Sequence, residues 1–378
     1  MKITKKFFVE GLLSSLFCLM SVNATQAQER RFYDPLKEQA IQGRLSVLKQ
    51  EDGYHRLPSA VKSEVRPPVW SLGTNAAGLF VDFMTEADTI QVRYKVKGAL
   101  NMPHMPTIGV SGVDLYAFHK DRSSWEWAFG QYKFGDKNDT IVYNYNNIGS
   151  SKNKVYRLYL PLYNTVEFLE IGVNPKYSLT FKEDKTKPIV VYGTSIAQGA
   201  CATRPGLAWT NIVGRNLKRK VINLAFSGNG RLEQPILNLM NGEDAAVYVL
   251  DCIPNLALTP SRSAKQLDSL IRNAVTFLRR QHPSTPIVLL QHSSAFTDGF
   301  LNKHTMAEYG ASSEVAINTY NDLISRGTKN LYLIKAKDIG FDIESTVDYA
   351  HPNDIGMMKL AEAYTKLLQK ILSQQQSK

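Results

Sequence analysis

Four short polar clusters in the second half of the chain hold residue types suited to nucleophilic acyl chemistry. Ser195, in Gly193-Thr194-Ser195-Ile196, directly follows an apolar run and precedes a loop and a helical pattern. A hydroxyl nucleophile can be presented there beside backbone N–H donors, although serine after a strand also serves as a helix cap or turn former. Ser227-Gly228-Asn229-Gly230 is either a plain βα turn or a loop whose backbone N–H points into a cleft that only glycine leaves open. Asn255, in Asp251-Cys252-Ile253-Pro254-Asn255, is a turn residue or an amide that stabilises an oxyanion. In Asp348-Tyr349-Ala350-His351-Pro352 a carboxylate stands three residues before an imidazole, so Asp348 can accept from one ring nitrogen while the other faces a hydroxyl. Taken alone, that pair reads as a helix-start Asp and a surface His. With the other three clusters, each at the end of a predicted strand, it reads as part of one site.

The seven histidines are His55, His104, His119, His282, His292, His304 and His351. No two have the spacing of helical metal ligands and the cysteines form no CxxC, so neither a metal nor another cofactor is expected. His55 also follows an Asp, Asp52, at the D-x-x-H spacing, but outside the α/β region. Two near-matches fail. The serine loop of subtilisin-type proteases needs Asp and His upstream, and the α/β-hydrolase elbow needs glycine where Ala197 stands.

The elements that must position these residues change character near residue 185. From about 42 to 181 the chain reads as short strands without a convincing long helix: 79–83, 89–96, 113–118, 125–129, 140–145, 155–160 and 166–173. In the second of these Ile90, Val92, Tyr94 and Val96 alternate with Gln91, Arg93 and Lys95. An antiparallel sandwich is the expected architecture. After the charged connector Lys182–Pro188, apolar strands at 189–192, 221–225, 246–250, 287–291 and 331–334 alternate with helical patterns at 206–217, 233–240, 264–280 and 314–325. A last helix over 354–372 carries Ile355, Met358, Leu360, Ala361, Tyr364 and Leu368 as its apolar stripe. Apolar strands joined by crossovers of about a dozen residues or more pair in parallel, giving a three-layer α/β/α domain with reactive groups at the carboxyl ends of the strands.

In their order along the chain, Ser195, Gly228, Asn255 and the Asp348/His351 pair resemble the four blocks of the SGNH (GDSL-type) hydrolases, over about 186–374. Gly112-Val113-Asp114-Leu115-Tyr116 resembles the G-x-D-L-Y signature of the N-terminal β-domain that precedes some of them, especially in secreted proteins of gut-type bacteria. Thr194 stands where these enzymes often have Asp, and Asp251-x-x-x-Asn255 replaces the usual G-x-N-D. The resemblance implies a jelly-roll-like β-sandwich over 28–183 and, over 186–378, an SGNH hydrolase domain with a flavodoxin-like parallel sheet. It implies a carboxylic ester hydrolase with Ser195 as nucleophile, His351 as base and Asp348 as orienting carboxylate. The backbone N–H groups of Ser195 and Gly228 and the Asn255 amide would form the oxyanion hole. The implied substrate is a short-chain acyl ester, an O-acetyl group, on a carbohydrate. A lipase, lysophospholipase or thioesterase of the same fold and a non-catalytic glycan-binding protein are the alternatives.

Lys2, Lys5 and Lys6, the apolar stretch 11–22 and the small residues up to Ala27 have the layout of a secretory signal peptide over 1–27, so a periplasmic or extracellular location is expected. No apolar run of about 20 residues follows it, which argues against stable membrane insertion. The net charge of +11 is scattered rather than striped, so nucleic acid is not an expected partner. Hydrophobic content of 43% with 21% charged residues excludes a disordered chain. Beyond the leader, Cys201 and Cys252 are either one bridge or two buried thiols. Arg204 and Arg231 follow the Ser195 and Gly228 loops and would either hold an acidic sugar or form surface ion pairs. Trp125 and Trp127 share one strand face and belong either to the sandwich core or to a sugar-stacking surface at the domain junction.

Overall fold

The computed structural model describes residues 29–376 apart from 137–138, 151, 153 and 295–300. Residues 1–27, where a signal peptide is expected, lie outside the described residues.

Two antiparallel sheets form the β-rich half. One runs in the order Arg31–Tyr33, Thr165–Val173, Ile90–Lys97, Ile141–Tyr145, Gln131–Lys133. The other runs Leu179–Lys182, Phe80–Thr85, Lys154–Tyr159, Asp114–His119, Ser124–Ala128, with Ile41–Gln42 also paired to Phe80–Thr85. Period-two alternation decides which face goes inside. Ile90, Val92, Tyr94 and Val96 are buried, and they pack against Val81, Phe83, Leu115 and Leu158 of the facing sheet.

The stretch 43–78 lies in the region read as strands, without a strand assigned to it, and departs from that general reading. It forms short turns and a helix, Pro67–Gly73, whose start is fixed by Pro67 and Pro68 in the first turn. Of its buried residues, Tyr54 and Ala76 join the sandwich core, whereas Leu45, Leu48, Leu57, Val65 and Val69 do not. They cover one face of the parallel sheet.

That parallel sheet has the order 221–225, 189–193, 247–251, 287–290, 331–334, so the first strand in the chain lies between the second and third. Every residue of the first three strands is buried, as a sheet covered on both faces requires. Odd-numbered Ile189 and Val191 face helices Trp209–Asn216 and Asp354–Gln376, while Val190 and Tyr192 face helices Gln234–Asn241, Ala264–Gln281 and Lys303–Ser325. The apolar stripe of the last helix is phased differently from the expected one. Met357, Leu360, Ala361, Tyr364, Leu368 and Ile371 are buried, whereas Ile355 and Met358 are 50% and 61% exposed. Helical spacing from Leu360 and Tyr364 reaches Met357, not Ile355 or Met358. No helix among the described residues is long and apolar enough to cross a membrane.

Candidate active site

Strand order 2-1-3-4-5 places a topological switch point beside the first strand, where a crevice opens at the carboxyl ends. Ser195 sits there, one residue beyond Thr194, whose hydroxyl accepts from the Ile196 N–H to start the short helix Ser195–Gln198. Ser195 is 6% exposed. Its Oγ lies 2.8 Å from His351 Nε2, and His351 Nδ1 lies 2.7 Å from Asp348 Oδ2. The other Asp348 oxygen accepts from the backbone N–H groups of His351, at 2.7 Å, and Ala350, at 3.1 Å. Burial pushes the Asp348 carboxyl up, but these hydrogen bonds and the His351 charge outweigh it and hold it below the usual carboxylate range. Asp348 is therefore an anion at neutral pH, and its two oxygens clamp both the ring and the backbone of the same histidine.

Gly228 has φ +68, a conformation that favours glycine, and a Cβ there would meet nothing within 4 Å. The loop is open on the side where a substrate would lie. Two residues on, a Cβ at Gly230 would stand 2.2 Å from the Gly193 carbonyl oxygen, so this turn rests directly on the strand that carries Ser195. The Gly230 N–H donates to Asn255 Oδ1 at 3.0 Å. That bond fixes the Asn255 amide so that its NH2, the donor end, is left for a different partner.

The arginines fall into different surroundings. Arg204 donates to Asp114 Oδ2 at 2.7 Å, bonds the Tyr116 hydroxyl and lies 4.4 Å over the Trp127 ring. Asp114 also accepts from Gly206 N–H and from Trp127 Nε1, so the aspartate of the G-x-D-L-Y stretch is a junction between the β-rich half and the loop after Ser195. Arg231 bonds the Gly228 carbonyl and has no carboxylate partner among the described residues. Trp125 and Trp127 are absent from the sandwich core, which corrects the core reading. Trp125 packs on Phe80, Tyr116 and Tyr159 and donates to the Arg215 carbonyl, and Trp127 remains 47% exposed. Both line the junction with the α/β half. Cys201 and Cys252 are two buried free thiols rather than a bridge, and burial pushes Cys201 up to about 12.

Two histidines near His351 were not singled out in the sequence. His292, at the end of the fourth parallel strand, stacks on Tyr309 with ring centroids 3.7 Å apart. Burial and the nearby His351 push it down to about 3, so it is neutral. Its position just past strand 287–290 was the available signal. His104 comes from the β-rich half, with its ring centroid 6.0 Å from that of His351. Among the described residues no group of His, Cys, Asp and Glu could hold a metal ion.

A hydrogen-bonded row of Ser195, His351 and Asp348 at the switch point of a 2-1-3-4-5 parallel sheet is the arrangement expected of SGNH-type α/β/α hydrolases. A model of the GDSL-like lipase/acylhydrolase family matches residues 186–369, and a model of the GxDLY N-terminal domain of SGNH-hydrolase-type esterases matches 30–179. The chain is 32% identical to a protein from Bacteroides ovatus described as a GDSL-like lipase, with TM-score 0.80 over 91% of this chain and 98% of that one. The chain belongs to the GDSL-like (SGNH) hydrolase family and is an esterase or acylhydrolase. It also shares its fold with the salicylyl-acyltransferase SsfX3 from a tetracycline biosynthetic pathway, at 18% identity and TM-score 0.73 over 90% of this chain and 97% of that one. A family two carbohydrate esterase from Cellvibrio japonicus is similar in fold at 11% identity and TM-score 0.50, over 79% of this chain and 90% of that one. No curated protein matches the chain.

Proposed function

We propose that the protein is an exported serine esterase that removes short acyl groups, O-acetyl groups in the first place, from carbohydrates. The observation that carries this reading is the unbroken relay from Ser195 Oγ through the imidazole to Asp348, 2.8 and 2.7 Å at its two steps. Ser195 Oγ attacks the ester carbonyl while His351 Nε2 takes its proton. The carbonyl oxygen becomes an anion held by the Ser195 and Gly228 N–H groups and the Asn255 NH2. Collapse breaks the bond to the alcohol, which leaves with the proton from His351 and leaves the acyl group on Ser195. Water, deprotonated by His351, attacks in turn and releases the acid and the free serine. Asp348 holds the ring tautomer and balances the imidazolium throughout.

The leader-like first 27 residues support export, and the carbohydrate esterases that share the fold support a sugar ester. Arg231, without a carboxylate partner beside the Gly228 loop, is the residue that would recognise an acidic sugar; Arg204 is held by Asp114. A second reading has its own observation. A cavity of about 300 Å³ beside Asp348 is lined by Met306, Ile343, Val347 and Tyr349, and suits a longer or aromatic acyl chain. Nitrophenyl esters of increasing acyl length separate the two, because an acetylesterase loses rate beyond the shortest acyl groups. Ser195→Ala is expected to abolish acetate release from acetylated glycans while leaving the thermal transition in place. A variant that keeps most of the wild-type turnover would remove Ser195 as the nucleophile.

A further inference from the structure

The turn 102–105 of the β-rich half reaches the catalytic histidine, and its anchoring is on the α/β side. Met102 and Met105 exchange backbone hydrogen bonds in both directions, at 3.3 and 3.1 Å, which puts Pro103 and His104 at the tip. Met105 is 3% exposed and belongs to the same apolar cluster as Ile196, Ala197 and Ala200, the residues just after the nucleophile. Gly109 closes the other end, because a Cβ there would stand 2.4 Å from the Ala202 carbonyl oxygen. The tip is thus fixed against the loop it faces. His104 itself is exposed, makes no hydrogen bond to any other described residue, and holds its ring at 36° to that of His351.

We infer that His104 is a specificity-determining residue, supplied by the β-rich half, that hydrogen-bonds a hydroxyl on the alcohol portion of the ester. His351 must give its proton to the leaving oxygen, so the alcohol lies against that imidazole. With the two ring centroids 6.0 Å apart, a hydroxyl on the carbon adjacent to the one that bears the ester oxygen falls within reach of His104. The preferred leaving group is a polyhydroxy alcohol with a free hydroxyl beside the acylated one. This rests on the esterase reading and adds to it which half of the molecule reads the alcohol.

The test compares glyceryl monoacetate, which has the neighbouring hydroxyl, with ethyl acetate, which lacks it. In His104→Ala the ratio of kcat/KM between the two is expected to fall about tenfold, mostly through KM, as for loss of one hydrogen bond to substrate. His104→Gln, which keeps a donor and an acceptor, should restore most of that ratio. An unchanged ratio overturns the inference, and so does an equal loss on both esters, which would mean that His104 acts only through His351. If the wild-type protein cleaves neither ester, it is the esterase reading that fails. His104 is then judged by saturation-transfer NMR of methyl β-xyloside with the Ser195→Ala protein. A signal lost on adding His104→Ala supports the contact; a signal that persists, or none in the parent, overturns it.

Discussion

Asp348 and Asp251 are carboxylates near one cleft with opposite environments. Asp348 is half exposed and receives three hydrogen bonds, so its anion is stabilised. Asp251 pairs with Gly193 across the sheet, is fully buried, and neither of its oxygens accepts a hydrogen bond from the described residues. Burial pushes its carboxyl well above the usual range, so it is neutral when folded at pH values where the unfolded chain ionises. The unfolded state then holds fewer protons than the folded one. Stability therefore falls as pH rises above the unfolded-state value of about 3.9 and continues to fall up to the folded-state pKa. Asp251→Asn, neutral in both states, should raise Tm over wild type by an amount that grows as pH rises above about 4. A difference that stays constant as pH rises from there would place an ionised Asp251 in the folded protein. Ser195 and the Asp348/His351 pair, which the fold brings within hydrogen-bonding distance, could be singled out in the sequence from residue type, a three-residue spacing and their place among the four clusters. His104 was not, because it arrives from another sheet and its relation to His351 exists only once the halves are packed.

At the scale of elements, alternation and apolar continuity were strong enough to locate seven strands of the β-rich half and all five parallel strands, but not the short strands Arg31–Tyr33, Ile41–Gln42, Gln131–Lys133 and Leu179–Lys182. They also missed segments whose partners lie elsewhere. The stretch 43–78 has no sheet of its own to satisfy and follows the parallel sheet it covers. The last helix begins with Ile355 and Met358, which are apolar yet lie off the face that Leu360 and Tyr364 bury. The loop after the second parallel strand was read for Gly228, but Gly230 is the residue its packing demands. In Gly230→Ala the new methyl meets a backbone oxygen 2.2 Å away, which no rotamer relieves. The loop must lift, and the Gly230–Asn255 bond that aims the amide goes with it. The expected result is a kcat reduced about a hundredfold, the scale of one lost oxyanion donor, with a lowered Tm. Unchanged kcat and Tm would mean that the loop relaxes without moving Asn255.

Across the whole molecule, the two halves are joined by buried polar contacts as well as by shared apolar surface. Arg56 is fully buried and donates to the carbonyls of Leu72, Asn75, Asn223 and Ala225, which ties the covering segment to the second parallel strand. Burial pulls its guanidinium down to about 9, still charged at neutral pH. Buried Glu243 accepts from both the N–H and the hydroxyl of Ser46, and Asp114 holds Arg204 and Gly206. Apart from the Arg56 bonds to Leu72 and Asn75, each of these contacts joins groups on opposite sides of the connector at 182–188. Calorimetry is expected to show one cooperative transition for the whole protein, with equal calorimetric and van't Hoff enthalpies. Two resolved transitions would contradict that coupling.

The segment 45–72 therefore acts as a missing layer of the catalytic scaffold. If the chain were severed at the connector, the carboxyl-terminal piece would lose Leu45, Leu48, Leu57, Val65 and Val69 from the apolar cluster it shares with them, uncovering a greasy patch prone to self-association. The amino-terminal piece is thus no detachable accessory that can be exchanged for another module. Trimming the enzyme to its reactive half would remove both the shield over its sheet and the histidine that leans over its cleft.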